Sequence, residues 1–229
     1  MKRDVAANYA AVRRKIDVSA AACGRKKEEI LLLAVSKTMP PEDIRTLYEA
    51  GVRDFGENRI QELEGKTACL PEDIIWHFIG PLQSNKIRKA VKLAHVIHSV
   101  ESISAVERLD RIAGEENKKV KFLLEVNISG EASKGGIAPD DFMRHARAAA
   151  QCQNAVFAGL MTMAPLDAPD EFLREVFQGL AALKQQAEKE LLLSLPILSM
   201  GMSGDFPQAI AAGSTIVRVG TAIFGKAQA

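Results

Sequence analysis

Eight short apolar runs, each followed by a segment with helical spacing, constrain this chain more than any other feature. The runs cover 31–36, 53–56, 75–79, 95–99, 120–127, 156–161, 196–199 and 215–219. Most are apolar rather than alternating, so both faces of such strands must be buried, as in a parallel sheet covered by helices. The helical segments between them lie at 58–66, 84–92, 102–117, 139–150, 170–190 and 204–212, and Pro40-Pro41 with Glu42 and Asp43 opens another that ends at Gly51. Eight such units in 229 residues predict a closed (β/α)8 TIM-type barrel rather than an open doubly wound sheet. Val5, Tyr9, Val12 and Ile16 recur at helical spacing, which adds an N-terminal helix over 4–22. No linker or low-complexity tract interrupts the alternation, so residues 1–229 read as a single domain.

Composition removes several classes of function. Thirty basic residues face 29 acidic ones, and a net charge of +1 provides no global field to draw the chain to nucleic acid or an anionic membrane. Any anion site must therefore be local. Three widely spaced cysteines, Cys23, Cys69 and Cys152, suit neither a disulfide framework nor a cysteine-rich metal site, and no metal is expected. No apolar run approaches the roughly 18 residues of a membrane span, and the N-terminus lacks the apolar core of a signal peptide. The expected location is the cytoplasm.

In a barrel of this kind the chemistry sits where strands end and βα loops begin. Lys37 directly follows the first run, in Ala34-Val35-Ser36-Lys37. There it would point into a partly dry mouth, where desolvation lowers an amine's pKa and frees it to attack a carbonyl; alternatively, it snorkels to water from a loop edge. Asn58, after the second run, reads first as a helix cap, though its amide could also bond an oxygen of a bound ring. After the third run Gly80-Pro81 makes a turn and Ser84 is a candidate cap, while His77 within that run reads as a core histidine. The loops Ser199-Met200-Gly201-Met202-Ser203-Gly204-Asp205 and Gly220-Thr221-Ala222 are rich in small residues and hydroxyls, so their backbone N–H groups can approach an anion closely. They follow the seventh and eighth runs, a frequent phosphate site in this fold. Arg218 sits inside the apolar last run, where its charge must be compensated by a carboxylate or by a ligand. An amine, a phosphate cradle and an inward arginine match the aldehyde, phosphate and ring nitrogen of pyridoxal 5′-phosphate (PLP).

Taken together, Ala34-Val35-Ser36-Lys37, Phe55-Gly56-Glu57-Asn58, the stretch from His77 to Lys86, Val126-Asn127-Ile128-Ser129 with Lys134-Gly135, Gly159-Leu160-Met161, the stretch from Ser199 to Ser203 and the stretch from Arg218 to Gly225 resemble the YggS/PROSC family of pyridoxal phosphate homeostasis proteins. The resemblance runs from about residue 30 to residue 225 in the family's order. It implies a PLP-binding barrel of fold type III, similar to the N-terminal domain of alanine racemase. By that likeness Lys37 is the Schiff-base lysine, and Ser203, Gly220 and Thr221 hold the phosphate. Arg218 would face the pyridine nitrogen, Asn58 would lie near the ring, and Met161 would line the pocket.

Two functions follow from this reading. One is a carrier or regulator of the free cofactor that delivers PLP to apo-enzymes, which the resemblance implies. The other is a small PLP-dependent amino-acid racemase, which needs an acid/base on each face of its substrate. Lys37 could serve one face. The two tyrosines, Tyr9 and Tyr48, lie away from strand ends, the chain ends at Ala229 without the racemase's second domain, and Arg218 beside the ring nitrogen disfavours carbanion chemistry. The carrier is therefore the expected function, without turnover and as a monomer. Lys134, after the fifth run, is either a second amine for the cofactor or a solvated loop residue.

Overall fold

The computed structural model describes residues 4–131 and 134–225; the chain ends included in the single-domain reading, 1–3 and 226–229, lie outside them. Among the described residues, eight parallel strands close into a barrel in sequence order. They are β1 (Leu31–Val35), β2 (Asp54–Glu57), β3 (Ile75–Phe78), β4 (Val96–Val100), β5 (Lys121–Glu125), β6 (Val156–Met161), β7 (Ile197–Ser199) and β8 (Ile216–Val219). Closure is made by β1 against β8, with Leu31 opposite Ile216 and Leu33 opposite Arg218.

The helices are α1 (Val5–Ala22), α2 (Pro41–Glu49), α3 (Ile60–Thr67), α4 (Ile87–Leu93), α5 (Ile103–Glu115), α6 (Phe142–Ala149), α7 (Asp170–Leu191), α8 (Phe206–Ala211) and α9 (Thr221–Phe224). Pro41 opens α2, where its missing N–H costs nothing and its fixed φ suits the first turn. α1 is the additional N-terminal helix. Asp4 caps it by accepting from the Ala7 amide at 2.9 Å, and it buries Val5, Val12, Ile16 and Ala20. It packs on α2, α8 and α9, and Arg13 ties it to the barrel by donating to the Ile30 carbonyl at 2.7 Å. The segment expected to begin a helix at 84 opens instead with a 3-10 turn over Ser84–Lys86, as does the segment at Pro139–Asp141. Ser84 makes no side-chain cap there, so its expected role is not realised.

Strand alternation divides the apolar side chains into two cores. Phe55, Trp76, Phe78, Phe122, Leu124, Leu198 and Val217 face outward and bury against the helices. Full burial of one such side chain contributes about 1.5–3 kcal/mol. A smaller cluster of Val96, Leu123, Ala158 and Met161 packs with Ile197 inside the barrel. Gly159 makes the β6–β7 contact possible: its φ is +155°, and a Cβ there would sit 1.9 Å from the Ile197 carbonyl oxygen. Other inward positions carry polar groups, among them His77, His98, Glu125, Ser199 and Arg218, all buried. Among the described residues, no helix is long and apolar enough to cross a membrane.

Candidate functional site

A cleft of about 750 Å³ opens at the C-terminal ends of the strands, the end where barrels of this kind build their sites. Its lining includes Lys37, Asn58, Met161, Ser203, Arg218, Gly220 and Thr221, so all seven residues singled out from the sequence converge there. The size is within the range of small-ligand pockets.

Lys37 stands two residues beyond the end of β1, at the rim. It is exposed rather than sunk in a dry mouth as its position predicts, because the strand ends before it and the chain turns outward at Thr38, whose φ is +63°. Its backbone is held from below. The Thr38 amide donates to Glu62 Oε2 at 2.7 Å, and Lys66 Nζ donates to the Ser36 carbonyl at 2.8 Å. Lys66 also meets Glu57 Oε1 at 2.7 Å, and Ser36 Oγ donates to the same oxygen at 2.6 Å. Burial raises the Glu57 pKa, and the neighbouring Lys66 charge opposes that rise. Neither Glu57 nor Lys66 was singled out from the sequence. Their one signal was a carboxylate ending an apolar strand and a lysine on the buried face of the next helix.

Asn58 is not a helix cap, since Arg59 takes the cap position of α3 and Asn58 Oδ1 is buried without a hydrogen-bond partner. Its backbone is fixed by Gly80, where a Cβ would lie 2.0 Å from the Asn58 carbonyl oxygen. Glycine is required at that contact. The unmatched amide oxygen borders the cleft, and an unmatched buried acceptor invites a donor from a ligand.

Arg218 lies on the cleft floor, nearly fully buried. Its Nη1 donates to Ser199 O and Ser199 Oγ, both at 2.7 Å, and its Nη2 donates to the Thr162 carbonyl at 2.9 Å. All three partners are neutral. Burial pulls the guanidinium pKa down to about 10, against the charges of Glu125 and Asp205. Glu125, inward from β5, is pushed up to about 7 by burial and by Glu101, with Arg218 opposing.

α9 begins at Thr221; Ile223 and Phe224 both donate to the Gly220 carbonyl at 2.9 Å, so the Thr221 and Ala222 amides are the ones left outside the helix's own hydrogen bonds. Ser203 and Gly204 precede α8, where Asp205 accepts from the Met202 amide and so shapes the loop. Gly220 passes close to β1, a Cβ there lying 3.2 Å from the Val35 carbonyl oxygen.

Several sequence candidates stand elsewhere. Lys134 pairs with Glu131, donates to the Met163 carbonyl at 3.3 Å and does not line the cleft. Tyr48 donates to Asp73 Oδ1 at 2.7 Å on the outside of the barrel, and Tyr9 lies in α1. His77 is a core histidine as read, but it faces inward and bonds a second histidine, His98. The segment 163–168 forms much of the cleft's outer rim and was not anticipated.

The family model for the alanine racemase N-terminal domain matches residues 7–228. A pyridoxal phosphate homeostasis protein of Pseudomonas aeruginosa is 42% identical over 223 residues, covering 96% of this chain and 95% of that protein. Its counterpart in Escherichia coli K12 is 40% identical over 233 residues, with 97% and 96% covered. The chain belongs to the pyridoxal phosphate homeostasis protein family. Among solved structures, PipY of Synechococcus elongatus superposes with a TM-score of 0.88 at 40% identity, covering 97% of this chain and all of that one. A PipY structure with PLP bound gives 0.86 at 39% identity. Alanine racemase of Clostridium difficile, at 14% identity and a TM-score of 0.73, shares the barrel over 93% of this chain and 56% of its own. That last likeness shows the fold alone.

Proposed function

We propose that this protein binds PLP in the cleft through a covalent link to Lys37 and serves PLP homeostasis as a reversible carrier of the cofactor. The observation that carries the reading is the convergence of an amine at the rim, a buried arginine on the floor and two glycine-containing loops on one wall of a single cleft. The structure of PipY with PLP bound supports the same ligand.

The residues fit the cofactor's groups. Lys37 would hold PLP through its amine at the cofactor's aldehyde carbon, with one water released as the C=N bond forms. Ser203, Gly220 and Thr221 hold the phosphate through hydroxyls and loop amides, a suitable environment for an anion. Arg218, whose hydrogen bonds go to the neutral oxygens of Ser199 and Thr162, would face the ring nitrogen with its positive charge and so disfavour a proton there. Asn58 Oδ1, buried and unmatched, takes a donor from the bound ligand. Met161 would line the pocket that holds the ring. Neither Tyr9 nor Tyr48 borders the cleft, which supports holding and release to apo-enzymes over racemisation. The protein works as one barrel, as a monomer and in the cytoplasm.

The test is direct. Purified protein incubated with PLP should absorb in the visible and bleach with borohydride, leaving the label on the Lys37 peptide, and Lys37→Ala should lose all three signals. A protein that stays colourless with added PLP overturns the reading. Clear interconversion of L- and D-amino acids by the loaded protein, read by chiral chromatography, overturns the carrier in favour of a racemase.

A further inference from the structure

A continuous line of buried hydrogen bonds crosses the barrel lumen from the cleft floor to the opposite end. Arg218 on β8 donates to Ser199 Oγ on β7 at 2.7 Å. Ser199 Oγ meets His98 Nδ1 on β4 at 2.9 Å, His98 Nε2 meets His77 Nδ1 on β3 at 2.9 Å, and His77 Nε2 meets Asp54 Oδ1, at the start of β2, at 3.1 Å. His77, His98 and Ser199 are 2% exposed or less, so water does not replace these contacts. Asp54 is the partly exposed end, with 21% of its side chain accessible.

The two ends dictate the direction of every proton in the line. A guanidinium only donates, and a carboxylate only accepts. Ser199 Oγ accepts from Arg218 and keeps a second lone pair, so the carboxylate end sets its proton: with one proton on each ring, His77 Nε2–H faces Asp54, His98 Nε2–H faces His77 Nδ1, and His98 Nδ1 is left to accept from Ser199. The reverse polarity would turn an unprotonated imidazole nitrogen onto a carboxylate and leave the serine proton without an acceptor. Burial holds the His98 pKa well below its usual value, in keeping with a neutral ring. Arg218 has no carboxylate within ion-pair distance among the described residues, so Ser199, with the two histidines behind it, is what its Nη1 rests on.

We propose that His77 and His98 are positioning residues which, through Ser199, hold the Arg218 guanidinium in a single orientation on the cleft floor. The proposal rests on the reading that the cleft takes PLP. Neither histidine lines the cleft, and neither is assigned a part in the chemistry.

Two measurements test it separately from that reading. The first is nitrogen-15 NMR of the imidazoles in the unmodified, ligand-free protein at neutral pH. Both His77 and His98 should be neutral with the proton on Nε2; an Nδ1–H form or an imidazolium at either ring overturns the directed line. The second compares His98→Leu with His98→Gln by PLP titration. A glutamine amide offers an acceptor and a donor at much the separation of the two ring nitrogens, and leucine offers neither. His98→Leu should weaken PLP binding roughly tenfold, the scale of one hydrogen bond to a charged group, while His98→Gln stays within about threefold of the parent. Equal losses in both, or no loss in either, overturn the positioning role. If the parent itself fails to bind PLP, the reading of the cleft falls, and the NMR result still decides the line.

Discussion

Removing the Lys66 ammonium should be among the most damaging single changes outside the cleft lining. Lys66 lies on the buried face of α3 and meets a carboxylate, Glu57, that is fully inaccessible and whose second oxygen, Oε2, has no partner. In Lys66→Met the length of the side chain is kept, but Glu57 is left charged in an apolar layer and the Ser36 carbonyl loses its donor. Breaking a buried pair from one side costs about 3–5 kcal/mol. The loss depends on pH in a direction that can be worked out. Burial raises the Glu57 pKa, and loss of the opposing Lys66 charge raises it further. In the folded variant the carboxyl therefore takes a proton at a pH where the unfolded chain does not. An acid with a raised folded-state pKa loses stability as pH rises and regains it as pH falls. The deficit of Lys66→Met should then be largest above neutrality and shrink toward the ordinary carboxylate range. Urea denaturation of parent and variant at about pH 8 and about pH 5, followed by circular dichroism, measures both. The added substitution Glu57→Leu, which removes the stranded charge, should recover much of the loss. A deficit under about 1 kcal/mol at the higher pH, or one that does not shrink in acid, would refute the reasoning.

Two further expectations come from buried groups. Glu125 is pushed up from 4.5 to about 7, first by burial and then by Glu101. Its contribution to stability is therefore lost as pH rises through that window. Relative to the parent, Glu125→Gln should gain about 3 kcal/mol of unfolding free energy between about pH 4 and about pH 8, and a difference that stays flat with pH would contradict it. Cys152 has its thiol pushed up to about 12 by burial and then by the Asp110 charge, whereas Cys23 and Cys69 are exposed. Iodoacetamide at about pH 8 should label Cys23 and Cys69 in native protein and spare Cys152 until urea is added, as read by peptide mass spectrometry. Early labelling of Cys152 would count against its burial.

Much of the barrel was legible in the chain because its signals are local. Apolar runs mark strands buried on both faces, Pro40-Pro41 marks a helix start, and a barrel strand's end is a fixed place in the sequence, so Lys37, Arg218 and the loops around Ser203 and Gly220 could be assigned to one mouth before any contact was known. What stayed hidden was whatever depends on which face of a strand or helix meets which partner. Asn58 looked like a cap until Arg59 took that position and Gly80 pressed against its backbone. The pairing of Lys66 with Glu57 was not anticipated, because it forms only when α3 folds back onto the end of β2. Lys37 was placed correctly along the chain but not in its exposure, because the outward turn at Thr38 is set by Glu62 on another element. The line from Asp54 to Arg218 is the extreme case, since His98 and Ser199 are 101 residues apart and meet only because the sheet closes and turns both inward. Sequence alone thus determined the strands, their order and the residues at their ends, through hydrophobic patterning. Barrel closure decided which polar groups share a lumen, because burial without water forces each of them to find its partner across the fold.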